Sequence, residues 1–191
     1  MTDKHLLPVA LDLSKIRVLI IGGGRAATDK LKRLLRETTD IVIVSPELTD
    51  ELLGLSGRYK LQVKKRAFEL GDLKGAGLVV LTVSESGLNQ RISELVLKKG
   101  LLLNNAAFPE RGNINFCAYT KKDGITLAVS TSGQAPAVAA RIRDYFAELL
   151  PDNTEELIHK IKELRTTIPA GKDREKLLRE LSEEITTNLR D

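Results

Sequence analysis

The residues of this chain best suited to chemistry are three consecutive glycines near its beginning. The segment Gly22-Gly23-Gly24-Arg25-Ala26-Ala27 satisfies the pattern G-x-G-x-x-A. In that pattern the first glycine, Gly22, permits a tight turn, and the second, Gly24, lets the backbone approach a pyrophosphate. The run Arg17–Ile21 before it is apolar and β-branched, and the residues after it have helical spacing. A strand, a glycine turn and a helix in that order favour a dinucleotide site over a structural turn of another α/β fold.

The ends of two further predicted strands supply more candidate contacts for a dinucleotide. An acidic residue at the end of the second strand usually holds the ribose hydroxyls. Glu47 comes slightly further along the chain than the residue that usually has this role, so Ser45 and backbone groups are the alternative contacts for the ribose. No arginine lies at this turn, which favours NAD over NADP. The predicted coenzyme-binding residues are Gly22, Gly23, Gly24, Arg25, Ala26, Ser45, Pro46, Glu47, Thr82 and Val83.

Apolar strands alternate with helical segments through the first half of the chain. The predicted strands are Arg17–Ile21, Ile41–Val44, Leu61–Lys64, Leu78–Val83 and Leu101–Asn104. A helix is predicted from Leu88 to Lys99, and Gly100 fits its C-terminal cap. Such alternation implies right-handed crossovers and a parallel sheet. We therefore predict an α/β fold with a Rossmann-type parallel sheet, in an NAD-binding domain at residues 1–113.

The pattern changes after residue 113. The elements predicted there are a β-hairpin of Asn115–Thr120 and Ile125–Ser130 around the turn Lys122-Asp123-Gly124, and a helix from Ala137 to Leu150. We predict that they form a small α+β dimerisation region at residues 114–150. This region is too small to bury its own apolar surface, which favours a homodimer. Residues 151–191 predict a helical C-terminal domain of two charged amphipathic helices separated at residues 168–171.

A second group of polar residues lies where a substrate is expected to bind. Hydroxyls and free amides between a strand and a helix suit carboxylates, while plain helix capping is the alternative. An asparagine at the carboxyl end of a strand lies where open α/β sheets bind ligands, while turn formation is the alternative there. The predicted substrate-binding residues are Asn104, Ser130, Thr131, Ser132, Gly133 and Gln134.

Composition excludes several classes of function. The 191 residues include 30 basic and 26 acidic side chains, and no basic run is interleaved with aromatics, which argues against nucleic acid. No apolar run approaches the length that spans a bilayer and no leader pattern is evident, so we expect a cytoplasmic protein without membrane contact. A single cysteine, Cys117, excludes an internal disulfide, and the two histidines lie far apart. We therefore expect no metal site.

Several segments, taken in order, resemble the precorrin-2 dehydrogenase family, which includes the amino-terminal part of siroheme synthases. The matching segments are Leu7-Pro8, Leu11–Leu13, VLIIGGGRAATDKLKRLL at Val18–Leu35, VSPEL at Val44–Leu48, LNQRIS at Leu88–Ser93 and LAVSTSGQAPAVAARIR at Leu127–Arg143. The glycine turn is generic, whereas the segment VSTSGQAPAVAARIR at Val129–Arg143 is fairly specific to this family. The family pattern extends over most of residues 7–150.

This resemblance implies a reaction, the NAD-dependent oxidation of precorrin-2 to sirohydrochlorin in siroheme biosynthesis. Some members of the family also insert ferrous iron. The resemblance further implies a Rossmann domain, a central dimerisation region with swapped elements and a small helical tail. The substrate is a tetrapyrrole rich in carboxylates, which agrees with the net charge of +4.

One position departs from the family pattern. The family commonly carries an aspartate in a segment N-x-V-D-x-P, and that aspartate is implicated in dehydrogenation and chelation. The corresponding segment here is Asn104-Asn105-Ala106-Ala107-Phe108-Pro109, which puts Ala107 in its place. A methyl group neither accepts a proton nor binds iron. Asn105 and Glu110 are candidate stand-ins, the catalytic residue stays unassigned, and a dehydrogenase is favoured over a ferrochelatase.

Two other functions compete with this interpretation. Ala107 favours a protein of the same family that has lost its chemistry and acts as a tetrapyrrole- or NAD-binding carrier or sensor. The glycine turn and the VSTSG segment agree equally well with that function. An unrelated NAD-dependent oxidoreductase would need a Tyr-Lys pair, a catalytic histidine or a larger substrate domain, and none is evident in the sequence.

Overall fold

A computed structural model of the protein describes residues 5–122, 124–151 and 153–187. The chain divides into two compact units, of which the first ends at Phe116 and the second begins at Cys117. The first unit is a parallel sheet with helices on both faces. Its strands are β1 Arg17–Ile21, β2 Ile41–Val44, β3 Gln62–Lys64, β4 Ala76–Leu81 and β5 Leu102–Asn105, and its helices are α1 Arg25–Leu34, α2 Asp50–Arg58 and α3 Ser86–Lys98.

The strand β1 lies at the centre of the sheet, whose order is β3-β2-β1-β4-β5. Val18 and Ile20 of β1 pack on one face with residues of α1 and α2. Leu19 and Ile21 pack on the opposite face with residues of α3. Because both faces are covered, every position after Arg17 is buried, and β1 is a continuous apolar run rather than an alternating one. The predicted α/β fold with a Rossmann-type parallel sheet is confirmed.

The predicted carboxyl ends of β4 and β5 are wrong, and pairing explains both. β4 ends at Leu81 rather than Val83, because β1 ends at Ile21 and offers no ladder partner beyond it. β5 extends to Asn105 rather than ending at Asn104, because Asn105 pairs in register with Leu81. The ends of strands in a parallel sheet are therefore decided by the neighbouring strand, which the local sequence does not report.

The helix α2 was not predicted from the sequence. Its N-terminal cap is Thr49, whose hydroxyl oxygen accepts a hydrogen bond from the amide of Leu52 at 3.2 Å. Gly54 and Gly57 lie within the helix, where glycine lowers helical propensity and weakens the apolar pattern. The buried Leu52 nevertheless packs against the sheet, so tertiary contacts stabilise a helix that propensity alone does not favour.

In the part that the structure describes, the second unit contains a hairpin and three helices. Its elements are β6 Ala118–Lys122, β7 Ile125–Val129, α4 Pro136–Glu148, α5 Thr154–Thr167 and α6 Lys172–Thr187. The two strands are antiparallel, as the predicted hairpin requires, although the first begins later than expected. Asp123 of the predicted turn and residues 188–191 of the predicted last helix lie outside the described residues. The division into three regions stays a prediction.

The helix α4 packs against both strands of the hairpin and buries Ala139. A stripe of apolar side chains on α4 and its C-cap residue remains exposed. Its members are Val138, Ile142, Tyr145, Phe146 and Leu149. Tyr145 and Phe146 are 61% and 51% exposed, which is unusual for large aromatic side chains. Among the helices of the described ranges, none is long and apolar enough to cross a bilayer.

The connection from β3 to β4 is held by a buried carboxylate. Asp72, whose side chain is 1% exposed, accepts hydrogen bonds from the Arg66 guanidinium at 2.7 and 2.8 Å and from Lys64 Nζ at 2.8 Å. The amide of Glu69 donates to the same carboxylate at 2.9 Å. The Arg66 guanidinium is the chief cause that holds the pKa of Asp72 well below its usual range, and it outweighs the opposing effect of burial.

We predict that Asp72→Asn lowers the free energy of unfolding by about 2 kcal/mol at pH 7, because it weakens charge-assisted hydrogen bonds to a buried carboxylate. The native pKa of Asp72 is depressed, so its stabilisation is complete above the unfolded pKa near 4 and declines as the pH falls below that value. The difference between wild type and variant should therefore shrink between pH 4 and pH 2. Urea unfolding across this range measures it.

The matched control is Asp40→Asn. Asp40 forms an ion pair with Arg17 at 2.9 Å, but both side chains are about half exposed. An exposed pair contributes less than about 1 kcal/mol, so this variant should unfold nearly as the wild type does. Equal losses in the two variants at pH 7 would contradict the role assigned to Asp72.

Candidate functional site

The candidate site lies at the carboxyl edge of the parallel sheet. The amide of Gly22 donates to the carbonyl of Val44 at 3.0 Å, and the amide of Thr82 donates to the carbonyl of Ile21 at 2.9 Å. The chain after β1 is thus tied to the ends of both neighbouring strands. β1 continues into α1 on one face and β4 continues into α3 on the other. The edge between these strands is the point where open α/β sheets bind dinucleotides.

The first two glycines of the turn are required by close packing. Gly22 has φ +113°, and a Cβ at this position would overlap the Thr82 hydroxyl. Gly23 is buried, and a Cβ there would overlap the carbonyl of Glu47 and lie 2.9 Å from Ser45 Oγ. No side chain fits at either position without moving the ends of β2 and β4. The sequence motif therefore reflects contacts with two neighbouring strands.

Gly24 is different, since it faces open space. No atom lies within 4 Å of the position its Cβ would occupy, and the residue is exposed. It is also the N-cap of α1 and supplies no capping side chain. The first bond of the helix runs from the amide of Thr28 to the carbonyl of Gly24 at 3.1 Å. The space that a Cβ would fill is thus left free at the start of a helix.

The start of α1 fits a pyrophosphate. Arg25 and Ala26 are exposed in its first turn, whereas Ala27 is buried against the sheet. Amides that precede the first helical hydrogen bond have no acceptor within the helix. Together with the positive end of the helix dipole they form a site for an anion. The residues present therefore fit the dinucleotide that the sequence motif implies.

The end of β2 presents one carboxylate. Ser45 is buried, and its hydroxyl donates to the carbonyl of Glu47 at 2.6 Å, so this hydroxyl shapes the turn. Pro46 and Glu47 are exposed. A free carboxylate beside the ribose position suits hydroxyls and disfavours a 2′-phosphate. Lys64, the last residue of β3, and Arg66 both pair with Asp72.

Thr82 and Val83, which follow β4, form hydrogen bonds that stabilise the carboxyl edge of the sheet. The Thr82 hydroxyl donates to the carbonyl of Ile21 at 3.1 Å. The carbonyl of Val83 accepts a hydrogen bond from Asn89 Nδ2 at 2.8 Å. Both residues are half-buried. Their polar groups connect the loop to β1 and to α3.

A buried amide pair anchors the end of β5. Asn105 Nδ2 donates to Asn89 Oδ1 at 2.7 Å, and Asn89 Nδ2 donates in return to Asn105 Oδ1 at 3.2 Å. Asn105 also donates to Ser93 Oγ at 3.1 Å and accepts from the amide of Phe108 at 2.9 Å. All four hydrogen-bonding positions of the Asn105 amide are therefore used. The structure assigns it a scaffolding contact rather than the place of a proton acceptor.

Sequence reasoning did not single out Asn89, Ser93 or Arg111 as site residues. Asn89 and Ser93 lie four residues apart on the buried face of α3, and that spacing of polar side chains on an inner helical face was the available signal. Arg111 Nη1 donates to the carbonyl of Ser86 at 2.9 Å, and its guanidinium lies 4.0 Å from the centre of the Phe108 ring. These residues hold the loop after β5 against α3.

Ala107 lies exposed in that loop, between two anchored neighbours. The amide of Ala106 donates to the carbonyl of Leu81 at 2.8 Å, and the amide of Phe108 donates to Asn105. The backbone at position 107 is therefore held although its side chain has no functional group. Glu110, the other candidate stand-in, is exposed and lies 3.9 Å from the Arg111 guanidinium. It belongs to the short 3₁₀ helix Pro109–Arg111.

The predicted substrate-binding loop of the second unit folds on itself. Thr131 Oγ1 accepts a hydrogen bond from the amide of Ala135 at 3.0 Å, and Ser130 Oγ accepts one from the amide of Ser132 at 3.1 Å. Ser132 and Gly133 both have left-handed backbones, with φ +54° and +84°. The N-cap of α4 is Ala135, which makes no side-chain capping bond. The hydroxyls thus order the loop instead of capping the helix.

The exposed members of this loop are Ser130, Ser132, Gly133 and Gln134. They precede Pro136, the first residue of α4. Asn104, the remaining predicted substrate-binding residue, lies in the first unit, where it is buried near the end of β5. Within the ranges that the structure describes, no group of three His, Cys, Asp or Glu side chains could hold a metal ion.

Comparisons with known proteins agree with this geometry. Residues 9–118 match the model of a family described as "Putative NAD(P)-binding". The precorrin-2 dehydrogenase of Bacillus subtilis (strain 168) is 26% identical over 160 residues, which are 84% of this chain and 98% of the relative. That of Priestia megaterium is 30% identical over 136 residues, covering 71% of this chain and 67% of the relative.

Siroheme synthase 1 of Serratia proteamaculans (strain 568) is 32% identical over 145 residues, which are 76% of this chain but 30% of that longer protein. Among solved structures, one named SirC, precorrin-2 dehydrogenase, matches with a TM-score of 0.75 at 25% identity. The match covers 97% of this chain and 93% of that one. The chain therefore belongs to the NAD(P)-binding family that includes the precorrin-2 dehydrogenases and the siroheme synthases.

Proposed function

We propose that this protein is a dehydrogenase that oxidises precorrin-2 to sirohydrochlorin with NAD. The observation that carries the proposal is the open, uncapped start of α1 at Gly24, in a chain whose relatives bear that activity in their names. When NAD is bound, it accepts a hydride, and the balanced reaction yields sirohydrochlorin, NADH and one proton. The remaining steps belong to the protein's own residues.

Binding and orientation come first. The free amides at the start of α1 bind the pyrophosphate, and the Glu47 carboxylate receives the ribose hydroxyls. The loop of Ser132, Gly133 and Gln134 offers amides and polar side chains to the substrate carboxylates. Holding coenzyme and substrate in a reactive orientation removes a large entropic cost from hydride transfer.

Proton release has no dedicated acceptor at position 107. A water molecule or a substrate carboxylate takes the proton. No dedicated base is needed, because oxidation towards a more conjugated macrocycle is favourable in itself. Metal insertion is more demanding, because it needs a group that removes pyrrole protons and guides the ion. We therefore propose dehydrogenation without efficient ferrochelation.

The second candidate is a carrier or sensor that binds a tetrapyrrole or NAD without turnover. The observation that favours it is Ala107, which leaves an exposed methyl group on an otherwise ordered loop. Such a protein would keep both binding sites and lose only the chemistry. Binding measurements alone therefore do not separate the two functions, and turnover does.

We propose a homodimer whose interface includes the exposed stripe of α4. Val138, Ile142, Tyr145 and Leu149 recur at intervals of three and four residues and so share one side of the helix with Phe146. A contiguous apolar stripe of this kind is typical of a protein interface. A second copy of the chain would cover it symmetrically.

We predict that Gly24→Ala weakens NAD binding about 10-fold or more, because its methyl group occupies the space through which the pyrophosphate approaches the backbone. The variant should fold normally, since Gly24 has φ −82° and nothing lies near the added Cβ. Calorimetric titration with NAD measures the affinity, and thermal unfolding verifies the fold. Gly54→Ala in α2 is the matched control, and NAD binding should be unchanged in it. Unchanged binding in Gly24→Ala would place the dinucleotide elsewhere.

We predict that the wild-type protein, incubated anaerobically with precorrin-2 and NAD, forms sirohydrochlorin and NADH in equal amounts over several turnovers. Ala107→Asp should raise iron insertion into sirohydrochlorin about 100-fold, the usual order for a well-placed acid or base, and change dehydrogenation much less. Absorbance of sirohydrochlorin, NADH and siroheme follows both reactions.

Ala67→Asp places the same carboxylate at an exposed position after β3 and is the matched control. It should leave both rates unchanged. Tight binding of NAD and sirohydrochlorin without wild-type turnover would favour the carrier or sensor instead.

We predict that Phe146→Glu converts the dimer to a monomer at micromolar concentration, because burying an unpaired carboxylate is costly where an aromatic ring gained about 2 kcal/mol. Sedimentation velocity measures the oligomeric state. Glu148→Lys changes an exposed residue outside the stripe and should remain dimeric. A wild-type monomer at the same concentration would contradict the proposed interface.

A further inference from the structure

One buried acceptor near the candidate site has no partner. Among the solvent-shielded side-chain nitrogen and oxygen atoms of the described residues, only Asn104 Oδ1 lacks a hydrogen bond. The whole residue is 5% exposed. Buried polar atoms are rarely left unpaired, because burial removes their hydrogen bonds with water. This oxygen is therefore suited to a donor supplied by a ligand.

The orientation of the Asn104 amide is determined by its other end. Nδ2 donates to the backbone carbonyl of Ile114 at 3.1 Å. Turning the amide over would place Oδ1 against that carbonyl, and two acceptors repel each other. Oδ1 consequently points away from Ile114, and in this orientation it meets no donor among the described residues.

The register of the sheet places Asn104 on the same face as α1. Asn104 is the in-register partner of Val80 on β4, and paired residues of parallel strands share a face. Val80 packs in one cluster with Ala27 and Leu31 of α1. Asn104 also precedes the last residue of β5. The unpaired oxygen therefore lies at the carboxyl edge, on the face from which the glycine turn enters α1.

We propose that Asn104 binds the nicotinamide end of the coenzyme, with Oδ1 accepting a hydrogen bond from the carboxamide N–H. This inference rests on the proposed function. A dinucleotide at the switch point crosses from one half of the sheet to the other, with its pyrophosphate at the start of α1. Ribose recognition at the end of β2 assigns the adenosine to the β2 half. The nicotinamide then extends over the half formed by β4 and β5.

The chemistry of the donor distinguishes coenzyme from tetrapyrrole. The peripheral groups of the substrate are mostly carboxylates, which accept hydrogen bonds and cannot pair with an oxygen acceptor. Its pyrrole N–H groups point towards the centre of the macrocycle, where an enclosed side chain does not reach. The nicotinamide carboxamide carries N–H donors at the edge of its ring. Asn104, which the sequence grouped with substrate-binding residues, is thus better matched to the coenzyme.

The test compares three ligands on the wild type, on Asn104→Leu and on a control variant. The ligands are NAD, 3-acetylpyridine adenine dinucleotide, in which a methyl group replaces the carboxamide nitrogen, and ADP-ribose, which lacks the ring. We expect the wild type to bind NAD about 10-fold more tightly than the acetylpyridine analogue, which corresponds to about 1.4 kcal/mol. In Asn104→Leu this preference should disappear, while ADP-ribose should bind as in the wild type.

Asn113→Ala is the matched control, because it loosens the same strand without touching the unpaired oxygen. Asn113 Oδ1 accepts from the amide of Leu103 at 2.7 Å, and its Nδ2 donates to the carbonyl of Leu101 at 3.2 Å. This variant should keep the preference for NAD over the analogue. ADP-ribose binding serves in each variant as the measure of an intact coenzyme domain.

Several results would overturn the inference. Equal wild-type affinity for NAD and the acetylpyridine analogue would do so without any variant. Equal weakening of all three ligands in Asn104→Leu would show a structural role only. Loss of sirohydrochlorin binding with unchanged NAD preference would assign Asn104 to the substrate. A wild-type protein that binds neither NAD nor ADP-ribose would instead refute the proposed function, and the inference with it.

Discussion

The candidate site depends on the parallel pairing of β1 with both β2 and β4. This pairing brings three strand ends to one edge, where the carbonyls of Val44 and Ile21 accept hydrogen bonds from Gly22 and Thr82. A side chain at Gly22 would overlap Thr82, and one at Gly23 would overlap the carbonyl of Glu47. The first two glycines of the turn are therefore required by the sheet, whereas the space at Gly24 is open.

Two kinds of buried polar residue lie around this edge, and the face of the sheet on which each lies separates their roles. Asn105, Asn89 and Ser93 satisfy one another on the α3 face, so they hold the loop after β5 in a defined conformation. On the opposite face Asn104 keeps one oxygen unpaired. Adjacent residues of one strand thus differ in function because they point to opposite faces. The first face supplies rigidity, and the second carries the unpaired acceptor to which we assign the nicotinamide contact.

The position of Ala107 can be understood in this framework. Its neighbours are anchored to Leu81 and Asn105, so the loop keeps an ordered backbone without a functional side chain at its exposed position. A carboxylate would serve metal insertion more than hydride transfer, because only the former requires a ligand for an ion. A coenzyme domain whose glycine turn is intact is therefore compatible with oxidation even where this side chain is a methyl group.

The sequence by itself determined the α/β fold and the dinucleotide turn, since an apolar β-branched run, three glycines and a helical pattern are local signals. It did not determine α2, whose glycines weaken its pattern, or the last residues of β4 and β5, which depend on neighbouring strands. Only the tertiary structure separated Asn104 from Asn105 and placed Asp72 between Lys64 and Arg66. These roles arise from burial and from partners on other elements, and local sequence carries no record of either.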